Sequence, residues 1–213
     1  MKRSKLIGIS GGSGVGKTSI TNALLGQSTN SLIIPHDAYY KSYDEMTLEE
    51  KKQINYWHPE TYDNELFLEH LEALKQGKQI DMPNYSFAEY RRLEDIHRVV
   101  PTENLFFDGF LLYATPEIVE QLDERIFIDL PEDERLRRII YRDFMERGGR
   151  SEEFVRSQFA RNTKPMHDKF IEPAKQHATL IIDGRQKIED SAAEISDYLQ
   201  SKGIYIQGAE KDL

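Results

Sequence analysis

Eight residues near the N-terminus, Gly11-Gly12-Ser13-Gly14-Val15-Gly16-Lys17-Thr18, constrain this chain more than any other stretch. They read as Gly, four residues, Gly, Lys, Thr, the spacing of a phosphate-cradling loop. Such a loop turns its backbone N–H groups toward a polyphosphate, which calls for residues without a Cβ. It must also lead into a helix whose positive end faces the anion. Lys17 supplies a point charge for the β and γ phosphates, and the Thr18 hydroxyl supplies a ligand for Mg²⁺. The flanks suit this setting: Leu6-Ile7-Gly8-Ile9 reads as a short buried strand, and Ser19 to Leu25 continues as a helix. Residues Gly11 to Ser19 are therefore the expected nucleoside-triphosphate-binding segment.

Further strands follow in the manner of an α/β chain. Ser31-Leu32-Ile33-Ile34 reads as a second buried strand, ended by Pro35 and followed by His36-Asp37-Ala38-Tyr39-Tyr40. Ligands of open parallel sheets sit beyond the carboxyl ends of strands, so Asp37 falls on the edge that carries the phosphate loop and is a candidate catalytic residue. Asn104 to Asp108 is a third buried strand ending in an acid, the form of a Walker B strand whose carboxylate holds Mg²⁺ opposite Thr18. Arg125 to Asp129 and Thr179 to Asp183 complete five strands.

Between them the spacing predicts helices over 47–55, with Thr47 and Glu50 as a capping box, and over 63–75. Ile80 to Phe87 and Leu93 to Val100 read as arms of a hairpin inserted at about residues 79–100, with Pro83 confining the first arm to an edge. Asp129 and Glu132 have capping-box spacing before a helix that carries Arg135, Arg138 and Arg142 on one face. Gly148-Gly149 then breaks the helix between Arg147 and Arg150, as an arginine-rich lid over about 143–160 would require. The helix that restarts at Ser151 is expected to break near Pro165 and Pro173. Alternating strands and helices argue for a five-stranded parallel sheet with helices on both faces, in one domain over 1–213.

Composition narrows the partners. A formal charge of -9 with a sequence pI near 5.2 argues against a nucleic-acid-binding surface, though a local Arg and Lys cluster can still hold a small anion. The absence of cysteine excludes disulfides, thiolate metal sites and a cysteine nucleophile. The apolar run after the basic N-terminus is too short for a signal peptide or membrane span, so a cytoplasmic protein without a membrane partner is expected. A homo-oligomer is compatible with the sequence.

The ordered series of motifs resembles the uridine–cytidine kinase family of P-loop kinases, related to phosphoribulokinase, over roughly residues 5–185. It comprises the phosphate loop, His36 to Tyr40, and His58-Pro59 with Tyr62-Asp63-Asn64-Glu65-Leu66. Pro83 to Phe87, Asp108 to Leu112, the arginine-rich helix and Phe170 to Lys175 follow. The resemblance assigns the Gly11 to Ser19 segment to ATP and implies a P-loop fold and transfer of phosphate from ATP, with Mg²⁺, to the 5′-hydroxyl of a pyrimidine ribonucleoside. It further implies that Asp37 orients or deprotonates that hydroxyl, with Tyr40 near the sugar and Tyr85 beside the base. Arg142, Arg147 and Arg150 match the phosphate-binding arginines, and Gln158 a sugar-contacting glutamine.

Some positions depart from that pattern. Trp57 stands where the family usually has an Asp for the ribose hydroxyls, and Trp offers one N–H donor and no acceptor. Trp57 either stacks on a ligand or is a partly buried structural side chain, and Asp63 is the nearest replacement acid. Tyr90 replaces a base-reading His, and Asp108 replaces a Glu. An extra residue in Arg138 to Arg142 leaves the match of Arg138 to a sugar-binding arginine open. Other acceptors within the same chemistry are nicotinamide riboside, pantothenate or a sugar phosphate, and an ATP-binding regulator with weak catalysis is the reading from another class.

Overall fold

The computed structural model describes residues 3–26, 28–146 and 148–207. Its main sheet has the order β2-β5-β1-β6-β7, formed by β1 Lys5–Ser10, β2 Ser31–Pro35, β5 Asn104–Asp108, β6 Glu124–Asp129 and β7 Leu180–Asp183, all parallel. Strands β3 Ile80–Ser86 and β4 Arg91–Val99 form a separate antiparallel hairpin, in which Pro83 lies opposite Ile96.

The apolar runs of the central strands are divided between two cores because successive side chains point to opposite faces. Leu6, Leu105, Phe107 and Phe127 enter one core with Phe67 and Leu71 of α3 (Asn64–Lys75), Ile118 of α4 (Pro116–Gln121), and Ile80 and Tyr85 of the hairpin. Ile7, Ile9, Phe106, Ile126 and Ile128 enter the other with Ile20 of α1 (Lys17–Leu25) and Ile195 and Leu199 of α8 (Ile188–Ser201). The C-terminal segment is docked by polar groups as well: Asn30 and Asn104 donate to the carbonyl of Tyr205 at 2.9 and 3.0 Å. Among the described residues no helix is long and apolar enough to cross a membrane.

The capping box at Thr47 and Glu50 forms, but its helix, α2, is only Leu48–Lys51. Two other local expectations fail. Helix α5 (Glu132–Glu146) starts directly after Pro131, so Asp129 and Glu132 make no capping box; the Asp129 carboxylate instead binds the Lys175 ammonium. The chain also does not break at Pro165. It runs on through α6 (Glu152–Gln158), a π-helical turn Phe159–Thr163, α7 (Lys164–Met166) and a second π-helical turn His167–Ile171. A wider turn relieves the clash between a proline ring and the carbonyl four residues earlier, so the helix absorbs the proline.

Candidate active site

Register brings the key acids to one edge. Asp108 lies level with Ile9 of β1 and with Pro35 of β2, so the phosphate loop, the Walker B acid and the segment bearing Asp37 leave three adjacent strands side by side. Thr18 donates from Oγ1 to Oδ2 of Asp108 at 3.0 Å. The Lys17 ammonium donates to the carbonyls of Gly11 and Gly12 at 2.9 and 3.1 Å, closing the loop on itself. Burial lowers the Lys17 pKa, the charges of Asp108 and then Asp37 oppose that shift, and those of Arg142 and Arg135 add to it. One ammonium group thus sits in the field of both candidate acids and of two helix arginines.

The loop's shape depends on missing side chains. Gly11 has φ +140, and a Cβ there would lie 2.3 Å from the carbonyl oxygen of Ile128. A Cβ on Gly12 would meet Nη1 of Arg135 at 3.0 Å and the His167 ring at 2.9 Å. Ser13 and buried Val15 continue the loop, Gly14 and Gly16 have positive φ, and Ser19 is exposed on the first turn of α1.

The arginine face of α5 runs along this loop. Arg135 is only 2% exposed; its Nε donates to the Leu130 carbonyl, its buried Nη1 has no hydrogen bond among the described residues, and its guanidinium lies over the Phe159 ring. Arg138 donates to the carbonyls of Val15 at 3.2 Å and Gly184 at 2.8 Å, which keeps it with the phosphate loop. Arg142 and Arg150 both bind Asp143. Arg147 lies outside the described residues.

Beyond Asp37 lies a cluster of mostly buried aromatic rings. Tyr62 donates to Oδ1 of Asp37 at 2.7 Å and stacks on His36 at 4.2 Å. Tyr40 is buried, donates to the Tyr56 carbonyl at 3.0 Å, and touches the rings of Tyr56, Tyr62, Tyr85 and Phe87. Tyr90, at the hairpin tip with φ +53, packs on Tyr56 at 5.4 Å. Among the described residues the buried Tyr56 and Tyr85 hydroxyls have no hydrogen-bond partner. Trp57 packs on Phe110 at 4.9 Å, and Phe110 meets Tyr62.

A chain of ring contacts therefore joins Tyr40, Trp57, Tyr85 and Tyr90 next to Asp37. Among the described residues Arg138 and Gln158 make no ring contact of this kind; the Gln158 carboxamide oxygen accepts from Asn162. Asp63 is committed elsewhere, since Oδ1 accepts from the Leu66 amide at 3.2 Å and Oδ2 from Arg92 at 3.1 Å. Arg92 also donates to the Tyr39 and Tyr40 carbonyls and so ties the hairpin to the segment after β2.

Sequence reasoning missed Tyr62, His167 and Asp143 as neighbours of the site. Tyr62 and His167 carry no spacing signal, whereas the adjacency of Asp143 to Arg142 in an arginine-rich helix was a readable sign of an internal counter-ion.

Comparison with known proteins agrees with this geometry. The model of the Phosphoribulokinase / Uridine kinase family matches residues 6–190. The chain is similar to the uridine kinase of Bacillus anthracis, 38% identical over 203 residues that cover 92% of this chain and 95% of that protein. It is similar to the uridine kinase of Clostridium perfringens, 40% identical over 184 residues, 85% and 88% of the two chains. Among solved structures, a putative fructose transport system kinase from Silicibacter sp. TM1040 superposes with a TM-score of 0.71 at 22% identity, covering 85% of this chain and 90% of the other. A possible uridine kinase from Bacillus stearothermophilus gives 0.55 at 18% identity, with 86% and 90% covered. At such identities these structures speak for the fold alone.

Proposed function

The chain belongs to the phosphoribulokinase and uridine kinase family and is a kinase; from that premise we propose that it phosphorylates the 5′-hydroxyl of a pyrimidine ribonucleoside, uridine or cytidine, at the expense of ATP. The observation that carries the reading is the convergence on one sheet edge of a phosphate-loop lysine, a Walker B acid bonded to Thr18, and a second acid that faces an aromatic wall. In the reaction the acceptor oxygen bonds to the γ phosphorus as the bond to the bridging oxygen of ADP breaks. The Asp37 carboxylate aligns the hydroxyl and takes its proton. Lys17 and the arginines of α5 and the following turn balance charge spreading over the transferring group.

Thr18 and Asp108 offer two hard oxygen donors 3.0 Å apart, a set that suits Mg²⁺ and would hold it. When bound, Mg²⁺ would supply positive charge that offsets the charge of the transferring phosphate. The aromatic wall supports a planar base as the non-reacting part of the acceptor.

A second reading has one observation in its favour. Trp57 packs on Phe110 and Asp63 is held by Arg92, which leaves the ribose hydroxyls without the carboxylate the family resemblance implies and favours an acceptor such as pantothenate or a sugar phosphate.

Both readings meet one experiment: ADP release with ATP, Mg²⁺ and a panel of uridine, cytidine, nicotinamide riboside, pantothenate and sugar phosphates. Turnover on uridine or cytidine, abolished by Asp37→Ala with ATP binding retained, is the expected result. Turnover on pantothenate or a sugar phosphate alone would select the second reading, and turnover on nicotinamide riboside alone, or ATP binding without transfer to any acceptor, would reject both.

A further inference from the structure

Arg142 and Arg150 are not independent. The side chain of Asp143 is 8% exposed, against 31% for Arg142 and 48% for Arg150. Its Oδ1 accepts from Nε and Nη2 of Arg142, both at 3.2 Å, and its Oδ2 accepts from Nη1 of Arg150 at 3.3 Å.

Arg150 reaches this carboxylate from beyond Gly148 and Gly149. Gly148 and Gly149 have φ +80 and +69, and among the described residues no atom beyond their chain neighbours lies within 4 Å of where their Cβ atoms would be. The Arg150 guanidinium also lies over the Phe154 ring at 5.9 Å. At the other end of the cluster, the charge of Arg142 acts on Lys17. Asp143 is thus a buried carboxylate shared by a helix arginine and an arginine beyond the two glycines.

Guanidinium groups carry five N–H donors each. Asp143 engages two from Arg142 and one from Arg150, so both arginines keep donors for a second anion. A carboxylate that orients two guanidinium groups in advance lowers the ordering cost of binding a polyphosphate, whereas one that consumed all their donors would compete with it.

We infer that Asp143 is a positioning residue for the transfer reaction: it holds Arg142 and Arg150 as one cationic unit, so that a nucleoside triphosphate meets both arginines in place. This inference rests on the phosphate role proposed above for the two arginines.

The test is a double-mutant cycle on the full chain, with Asp143→Asn, Arg150→Ala and the pair, read as dissociation constants for ATP and AMP and as kcat. Each single substitution is expected to weaken ATP about tenfold, and AMP by less than about twofold, because the effect requires the outer phosphates. The double variant should bind ATP no more weakly than the weaker single, within about twofold. Asp143→Glu, which keeps the charge, should return ATP affinity to within about threefold of the parent.

Additive losses, or equal losses for ATP and AMP, would make Asp143 merely structural and overturn the inference. Failure of both Asp143→Asn and Asp143→Glu to fold would likewise make it structural. Tighter ATP binding in Asp143→Asn would show a competing carboxylate and also overturn it. If Arg150→Ala alone leaves ATP affinity unchanged, the phosphate role of Arg150 fails and the inference falls with it. If Arg150→Ala weakens ATP while Asp143→Asn does not, only the inference fails.

Discussion

The phenol of Tyr62 donates a 2.7 Å hydrogen bond to Oδ1 of Asp37, joining the acid after β2 to a residue 25 positions further along the chain. Burial, and then the negative charge of Asp37, push the Tyr62 pKa well above its ordinary value, so the phenol keeps its proton and acts as a fixed donor.

Tyr62→Phe keeps the ring that stacks on His36 and removes only this donor. A hydrogen bond to a charged group contributes about 1.5–3 kcal/mol, and misorienting the acid forfeits part of that in the transition state. The expected outcome is a fall in kcat of about tenfold or more, with the ATP dissociation constant within about twofold of the parent, measured by steady-state kinetics and nucleotide titration. An unchanged kcat would remove Tyr62 from the positioning of Asp37.

Gly109 is fixed by the same neighbourhood. A Cβ there would stand 2.6 Å from the Cβ of His36, an atom that cannot swing away without moving the backbone next to Asp37. Gly109→Ala should therefore cost about 1–3 kcal/mol of stability by overpacking and lower the transfer rate as well. Urea denaturation and initial rates test the two halves together; full activity with lost stability would show that the strain does not reach Asp37.

The main sheet was legible because its strands are short apolar runs ending in glycine, proline or an acid, and the site's donor half because the phosphate loop ties spacing directly to backbone geometry. What escaped is settled by contacts between distant segments. Nothing in the residues around Pro165 signals that two π-helical turns will carry a helix through it. Nor does spacing show that Asp129 will bind Lys175 rather than cap α5, or that Arg92 will claim Asp63. Arg135, Arg138 and Arg142 share a helix face as their spacing requires, yet each finds a different partner. The face follows from helical periodicity; the partners follow from how α5 lies against the phosphate loop.

Two buried histidines give the fold a defined acid sensitivity. Burial is the main cause that lowers the His36 pKa to about 3; for His167, lowered to about 4, burial is joined by the neighbouring Arg135 charge. Both rings stay neutral in the folded protein, while the unfolded chain takes up protons below about pH 6.5. Their contribution to stability is therefore complete above that pH and is lost as the pH falls toward the folded values. Each histidine adds up to about 1.4 kcal/mol per pH unit to the slope in this window. Urea midpoints between pH 7.5 and 4.5 should fall, and His167→Gln should show a shallower slope than the parent, since it removes one of the two protons. Equal slopes would mean that His167 is charged in the fold.

Acceptor recognition turns on Trp57. Its ring lies 4.9 Å from that of Phe110, and the nearby acid Asp63 has both oxygens engaged, one by the Leu66 amide and one by Arg92. The indole has no acceptor for a ribose diol, so the parent protein should discriminate between uridine and 2′-deoxyuridine by less than about tenfold in kcat/KM. Trp57→Asp introduces an acceptor that can take both hydroxyls, a gain of about 1.5–3 kcal/mol for the ribonucleoside. The expected result is a rise of about ten- to a hundredfold in the preference for uridine over its 2′-deoxy analogue. Loss of the contact with Phe110 should cost about 1 kcal/mol of stability, visible in a urea titration but too small to unfold the chain. A parent protein that already prefers uridine a hundredfold would show that another group holds the diol, and Trp57 would then be a packing residue alone.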